Sequence, residues 1–212
     1  FRHWAQENPG KGLLWLPEDL RSLWEYHASA FKFHSGLSTP HTYSSQAWQW
    51  LILGRPTSYF YESPKLGSAG CTVKSCSEAI LNIGNPAIWW AFIPAILVGL
   101  FVFLLKRDWR FGALLLVFGA GYFPWFMYPT RTMFYFYALS FEPFLILLLA
   151  GALGLCLSGA RGSVVRARVG VTVVVLYLVG VLVLSAYFMP LWTAQVIPYE
   201  QWYSHMWFKS WI

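Results

Sequence analysis

Apolar residues along the chain fall into long runs that predict membrane-spanning helices. Crossing the hydrocarbon core of a bilayer takes about 20 apolar residues in helical conformation. Four runs approach this length: 87–105, 111–128, 134–157 and 169–188. Asn85 and Pro86 precede the first run, and this pair favours a helix start because Asn can cap the helix and Pro fits its first turn.

A different pattern precedes these runs. Across residues 16–34, apolar side chains recur at every third or fourth position with polar ones between them, and Gly36 ends the pattern. Pro17 and the acidic residues Glu18 and Asp19 are typical of a helix start. The pattern predicts an amphipathic helix, which either lies in the membrane interface or packs on its own protein. The sequence leaves both arrangements open.

Composition indicates that lipid is the solvent. Of the 212 residues, 57% are hydrophobic, 20% are aromatic and 11% are charged, whereas soluble domains average about 25% charged residues. So few charges cannot cover the apolar surface of a folded globule of this size. The chain begins with Phe1 rather than Met, and we expect it to be a piece of a longer protein that lacks its N-terminal part.

The distribution of basic residues predicts the orientation of the helices. The loops after the first and third runs carry three basic residues each, namely Lys106, Arg107 and Arg110, then Arg161, Arg166 and Arg168. The turn after the second run carries only Arg131. Basic loops face the cytoplasm, so the Arg131 turn is expected on the outer face. Topology thus explains much of the net charge of +6, and no nucleic-acid partner is predicted.

The predicted architecture is therefore an all-α integral membrane fold in three segments. Residues 1–83 form an outer-face segment that contains the amphipathic helix and a loop. Residues 84–190 hold the four transmembrane helices, and residues 191–212 form an outer-face tail. The expected location is a membrane that the chain crosses several times.

The histidines and cysteines of the chain predict no metal site. His27 and His34 would lie about 10.5 Å apart along a helix axis, too far to share one zinc ion. Cys71 and Cys76 lie on the predicted outer face, where a disulfide is permitted. Their spacing allows that disulfide without proving it. Cys156, near the inner end of the third run, is expected to be a core residue.

Two charged residues stand out in the aromatic stretch after the second run. Arg131 is either an interface anchor or a ligand for an anionic headgroup, because a guanidinium can grip a phosphate with two parallel hydrogen bonds. Glu142 is costly inside a span and is therefore a functional candidate, unless it is protonated or paired with another part of the protein. On one continuous helix the two residues would share a face about 16 Å apart. Pro143 is expected to kink that helix.

Five stretches carry motifs in a characteristic order: LRSLWEYHASAFKFHSGL (20–37), HTYSSQAWQWLILGRPTSYFY (41–61), CTVKSCSEAILNIGNPAIWW (71–90), TRTMFYFYALSFEPF (130–144) and PYEQWYSHMWFKSWI (198–212). Together they resemble the C-terminal four-span region of the protein O-mannosyltransferases, in the bacterial form of that family. The resemblance covers nearly the whole chain. Thr42, Gln46 and Glu142 depart from the family pattern.

The resemblance implies the membrane part of a larger glycosyltransferase of the GT-C type in a bacterial cell membrane. Such enzymes transfer mannose from a polyprenyl-phosphate carrier to Ser or Thr hydroxyls of exported proteins. The implied partners are membrane lipid, the lipid-linked donor, the acceptor proteins, the secretion machinery and the missing N-terminal half of the protein. No cofactor or metal is implied. The family's acidic catalytic residues lie in an outer loop outside these residues, so we expect no catalytic residue here and no activity of this piece alone.

Candidate site residues follow from this resemblance and, for Arg131 and Glu142, from the charge arguments above. The candidates for binding the donor lipid phosphate are Arg131, Arg55 and Tyr135. The candidates for lining the site are Glu142, His41, Trp89, Trp90 and Asn85. Two other classes of function stay open: a transporter or lipid-flippase module, with Arg131 and Glu142 along its path, and a structural membrane subunit. Many transporters contain inverted repeats, and none is visible in this sequence.

Overall fold

The computed structural model describes residues 3–158 and 163–212. The chain divides into two compact units, which are described separately. The first consists of Phe1–Pro40 and Tyr128–Thr132, and the second of His41–Met127 and Met133–Ile212. Arg161, one of the basic residues used to predict the topology, lies outside the described residues.

The first unit contains helices α1 (Trp4–Glu7) and α2 (Glu18–Ser35). Helix α2 is the amphipathic helix, and it begins after Pro17 and ends at Gly36 as its sequence predicts. Its buried residues are polar: the Ser22 hydroxyl accepts a hydrogen bond from the Ala5 amide, and Arg21 donates to the Ala5 carbonyl. Apolar residues of α2 such as Leu23, Trp24 and Phe31 are exposed within their unit.

The second unit contains a three-stranded antiparallel sheet in the order β1-β2-β3. Its strands are β1 (Thr57–Glu62), β2 (Cys76–Asn82) and β3 (Ile197–Pro198). The register shifts between Ser58 and Phe60, so Tyr59 forms a bulge in β1. A disulfide joins Cys71 to Cys76 at the start of β2, with Cα atoms 5.9 Å apart. Sequence analysis assigned this segment to a loop and did not predict the sheet.

Four longer helices follow in the second unit, namely α4 (Pro86–Lys106), α5 (Trp109–Tyr122), α6 (Glu142–Ser158) and α7 (Val164–Trp192), preceded by a single turn, α3 (Ala47–Trp50). Among the described residues, three helical stretches are long and apolar enough to cross a membrane: Pro86–Lys106, Trp109–Met127 and Val164–Trp192. Helix α6 is apolar but shorter. The helical membrane fold is confirmed, while the structure has three helices of spanning length where the sequence predicts four.

The third predicted run does not form one kinked helix. A 3-10 helix occupies Tyr135–Ser140, and α6 begins only at Glu142. Pro143 therefore lies in the first turn of α6, where its missing N–H costs nothing, rather than in a helix interior. The predicted kink at Pro143 is wrong, and so is the single helix face predicted for Arg131 and Glu142.

The connection between α4 and α5 is a tight turn of two residues. Arg107 ends α4 with a left-handed backbone, φ 55°. Asp108 caps α5 by accepting a hydrogen bond from the Arg110 amide, and its carboxylate pairs with the Arg110 guanidinium at 2.7 Å. Hydrogen bonds from the Arg110 side chain lower the pKa of the Asp108 carboxyl below its usual value.

The core of the second unit is an aromatic cluster around Trp50. The Trp50 side chain is fully buried, and its ring lies 5.8–6.4 Å from the rings of Tyr122, Trp125, Tyr137 and Phe141. The Trp50 indole N–H donates to the Ser45 hydroxyl at 2.9 Å. Cys156, by contrast, is exposed near the end of α6, so its predicted core position is wrong.

Candidate functional site

Arg131 lies in the first unit, where it holds the end of α2. Its Nε donates a hydrogen bond to the carbonyl oxygen of His34, in the last turn of that helix. Two further bonds fix the same strip of chain, because the Thr132 amide and hydroxyl donate to the carbonyls of Leu37 and Thr39. The last carbonyls of a helix lack partners within the helix, and an arginine nearby can satisfy them. The guanidinium is thus half-buried in a fixed position.

Tyr135 and Trp89 pack together in the second unit. The rings of Tyr135 and Trp89 lie 4.9 Å apart and both side chains are buried. The Tyr135 hydroxyl is buried without a hydrogen bond of good geometry and approaches the backbone of Gly84. Glu142 is half-buried at the start of α6, seven residues after Tyr135. The structure therefore brings together two of the predicted site residues, Tyr135 and Trp89.

Asn85 connects two helices at the start of α4. Its Oδ1 accepts from the Ala87 amide at 2.9 Å, which caps α4. Its Nδ2 donates to the Val181 carbonyl and the Ser185 hydroxyl, both on α7 and both at 2.9 Å. Every polar atom of the Asn85 side chain is thus engaged within the fold, as expected for a buried amide. The arrangement makes Asn85 a structural residue.

Gly84, immediately before Asn85, has no room for a side chain. A Cβ atom at this position would lie 1.6 Å from Nε1 of Trp89. The indole of Trp89 therefore packs directly on the backbone of Gly84. Sequence reasoning did not single out this glycine, although the IGNP motif contains it.

His41 and Trp90 lie on other surfaces of the second unit. His41 is exposed, its Nδ1 accepts from the Tyr43 amide, and its ring packs edge-on against Phe134. The Trp90 indole donates to the Ile52 carbonyl at 3.2 Å, and its ring lies 6.0 Å from that of Trp207. Among the described residues, the hydrogen-bond and ring partners of His41 and Trp90 do not include Tyr135, Trp89 or Glu142. Both contacts are packing contacts.

Arg55 acts as a clamp on the C-terminal segment. One guanidinium nitrogen donates to the carbonyls of Ser210 and Ile212 at 2.5 and 2.7 Å, and the other donates to the Thr42 carbonyl at 2.9 Å. Its cation also lies 5.1 Å from the centre of the Tyr43 ring. The arrangement gives the guanidinium a structural task, and it lends no support to phosphate binding by Arg55.

A cavity of about 290 Å³ lies beside this clamp. Tyr43 and Ile212, which Arg55 holds, form part of its wall, and Tyr61, Trp202 and Trp211 contribute aromatic rings. The Trp211 indole donates to the Leu53 carbonyl, so the C-terminal segment packs against the segment after α3. Sequence reasoning used these tail residues only as a family motif, and the clustering of tryptophans was the signal it passed over.

His205 is a second residue that sequence reasoning missed. It is buried, and its ring nitrogens lie 2.6 and 2.7 Å from the carbonyl oxygens of Gln201 and Tyr187. Its ring stacks on Tyr187 at 4.2 Å. It therefore joins the helix α8 (Tyr199–Ser204) to the end of α7. Within the described ranges 3–158 and 163–212, no three His, Cys, Asp or Glu side chains are grouped to hold a metal ion.

Comparison with known proteins identifies relatives over nearly the whole chain. Residues 19–211 match the family model described as the C-terminal four TMM region of protein-O-mannosyltransferase. Polyprenol-phosphate-mannose–protein mannosyltransferases of Mycolicibacterium smegmatis and Mycobacterium tuberculosis are each 34% identical to this chain, over 94% and 92% of it. That of Corynebacterium glutamicum is 35% identical over 92%. The matches cover 38–39% of those proteins, so the chain spans about two-fifths of their length.

A solved structure shares the fold. The chain superimposes on the S. cerevisiae protein O-mannosyltransferase Pmt1–Pmt2 complex bound to the sugar donor with a TM-score of 0.69. The match covers 93% of this chain and 29% of the yeast chain, at 23% sequence identity. At this identity the likeness concerns the fold alone.

Proposed function

Because the chain belongs to the family of C-terminal four-transmembrane regions of protein O-mannosyltransferases, we propose that it is the membrane part of an enzyme that mannosylates exported proteins. The donor is a polyprenyl-phosphate mannose, and the acceptors are Ser and Thr hydroxyls of proteins delivered by the secretion machinery. The observation that carries this proposal is the family match across residues 19–211. The family resemblance drawn from the sequence motifs is thereby confirmed.

The proposed reaction is a displacement at the anomeric carbon of mannose. The acceptor oxygen forms a bond to that carbon, the bond to the phosphate oxygen breaks, and the polyprenyl phosphate leaves with the electron pair. The hydroxyl proton passes to a base in the part of the enzyme beyond this chain. The residues described here therefore bind and orient, and the leaving phosphate is the charge that they can stabilise.

We assign the donor phosphate to Arg131. The guanidinium is held by its Nε–H bond to the His34 carbonyl, so its position is set before any ligand arrives. A cation that is already held in position stabilises a developing negative charge at a smaller reorganisation cost than a mobile cation does. Arg131 is also the only basic residue between residues 111 and 160. It is thus the only basic candidate in the turn that joins the second and third predicted spans.

Orientation forms part of the proposal. Residues 1–83, the Arg131 turn and residues 191–212 lie on the outer face of a bacterial cell membrane, and the basic turn of Lys106, Arg107 and Arg110 lies in the cytoplasm. Helix α6 completes the set of four transmembrane helices in the full-length protein. Tyr135 is a separate candidate, supported by its buried hydroxyl without a well-formed hydrogen bond.

The test is mannose transfer by the full-length enzyme in detergent or proteoliposomes, with polyprenyl-phosphate mannose and a Ser/Thr-rich peptide. The Arg131→Ala variant should lose about 10- to 100-fold in kcat/KM for the donor, the effect of removing one hydrogen-bonded charge. The KM for the peptide should not change. Arg131→Lys keeps the positive charge but lacks the planar guanidinium. Its kcat/KM for the donor should therefore lie between those of Arg131→Ala and the unchanged enzyme.

Lys32→Ala provides the control, because Lys32 is an exposed cation of the same unit near the end of α2. Its transfer kinetics should match those of the unchanged enzyme. Equal kinetics for Arg131→Ala and the unchanged enzyme would remove Arg131 from the donor site. Absence of transfer by the unchanged enzyme with this donor would overturn the proposed function itself.

A further inference from the structure

A groove lies between α6 and α7, at the end where α6 finishes and α7 begins. Its volume is about 390 Å³. Leu155 and Cys156 of α6 form one wall, and Val165, Val169 and Val173 of α7 form the other. Among the described residues that line it, Arg166 is the only charged one.

The groove exists because the two helices touch backbone to backbone beside it. Gly170 is buried, and a Cβ atom there would lie 2.2 Å from the carbonyl oxygen of Cys156. Any larger residue would push α7 away from α6. Because the backbones meet at Gly170, flanking side chains such as Val169 and Val173 frame a slot with an apolar floor.

The groove opens onto surface that is exposed and apolar. Val165 is 70% exposed and Val169 is 57% exposed. In a multi-pass membrane protein, side chains of this kind face acyl chains. The slot therefore has an apolar surface on which a hydrocarbon chain can lie.

Arg166 has no acidic residue within reach along this part of the sequence. Residues 143–199 contain no Asp or Glu. In the described ranges 3–158 and 163–212, the one ion pair joins Asp108 and Arg110. Arg166 is exposed in the first turn of α7, and the ends of a spanning helix lie near the lipid headgroups. A guanidinium in such a place pairs with a phosphate.

We propose that this groove binds an anionic phospholipid, with one acyl chain in the slot and the headgroup phosphate on Arg166. The acyl chain explains the apolar walls, and the negative headgroup complements the Arg166 guanidinium at the rim. Basic pockets between transmembrane helices bind anionic lipids in this manner. The site lies at the opposite end of α7 from Trp192 and goes beyond the proposed transfer reaction.

The experiment measures lipid binding to the full-length protein by native mass spectrometry, with phosphatidylglycerol and phosphatidylcholine of the same acyl chains as probes. The unchanged protein should retain phosphatidylglycerol about fivefold more tightly, the factor that corresponds to one basic residue near an anionic headgroup. Arg166→Gln should abolish this preference. Arg168→Gln is the matched control, because Arg168 lies two residues further along the same helix and does not line the groove. It should retain the preference.

A second variant tests the slot rather than the charge. Cys156→Trp would fill the groove and should weaken binding of both lipids while Arg166 stays in place. Three results would overturn the proposal: no preference in the unchanged protein, equal loss for Arg166→Gln and Arg168→Gln, or unchanged binding by Cys156→Trp. Displacement of phosphatidylglycerol by millimolar inorganic phosphate would overturn it as well, since the site would then hold a free anion. None of these measurements depends on mannose transfer.

Discussion

The aromatic cluster around Trp50 and the long helix α7 differ in what their side chains contact. Trp50 is fully buried and surrounded by rings of its own protein. In α7, only 6% of the apolar stretch is buried inside the protein, compared with 28% in α4. The cluster therefore depends on contacts between side chains. Helix α7 offers its apolar side chains to lipid or to protein beyond this chain. Since lipid tails are as apolar as leucine, such side chains gain little from packing.

The largest effect should come from Trp50→Ala. It removes a buried ring and the hydrogen bond from the indole N–H to Ser45, and should lower the free energy of unfolding by about 3–5 kcal/mol. Thermal unfolding of the full-length protein in detergent measures the effect. Trp48→Ala is the control, because Trp48 is 58% exposed. Equal losses for the two variants would show that the cluster is not the core.

A smaller effect is expected at Asn85, which joins the start of α4 to α7. Asn85→Ala removes the helix cap and both bonds to α7, and should cost about 1–3 kcal/mol in the free energy of unfolding. Asn85→Asp keeps an acceptor for the Ala87 amide but lacks the Nδ2 donors, so its loss should reflect the α7 bonds. If the two variants lose the same amount, the cap contributes nothing measurable.

The smallest effect should come from Leu182→Ala on α7, where the side chain is 69% exposed. Its loss in unfolding free energy should stay below about 0.5 kcal/mol. Leu191→Ala on the same helix is the counterpart: Leu191 is 1% exposed and should cost about 2–5 kcal/mol. A large loss for Leu182→Ala would indicate that this face of α7 packs against protein in the full-length chain. The contrast between α7 and the Trp50 cluster would then not hold.

Local signals in the sequence predicted the helices well. Pro17 and Gly36 bracket α2, and Asn85 and Pro86 start α4 through a cap and a first-turn proline. These features act within one turn of the residue that carries them, so a single sequence contains them. Pro143 shows where such local signals fail. Proline also favours the first turn of a helix, which is where Pro143 lies, but the long apolar run around it led to the prediction of one continuous helix.

Contacts between distant segments could not be predicted. Strand β2 pairs with β3, whose residues Ile197 and Pro198 follow more than a hundred positions later. Arg55 was a candidate for phosphate because of its charge, whereas its partners Ser210 and Ile212 are set by the fold. The sequence identified Arg131 as a candidate, whereas only the structure shows that the His34 carbonyl accepts its hydrogen bond. The chemical type of a residue was therefore predictable, and its partner was not.

The two-residue turn at Arg107 and Asp108 has a consequence for how the protein sits in its membrane. Such a short link cannot cross a bilayer, so the end of α4 and the beginning of α5 must emerge at the same surface. One accessibility measurement with a membrane-impermeant reagent at this hairpin tip thus fixes the direction of two helices at once. A reporter protein inserted in this turn would separate α4 from α5, so the two helices would no longer have to emerge at the same surface.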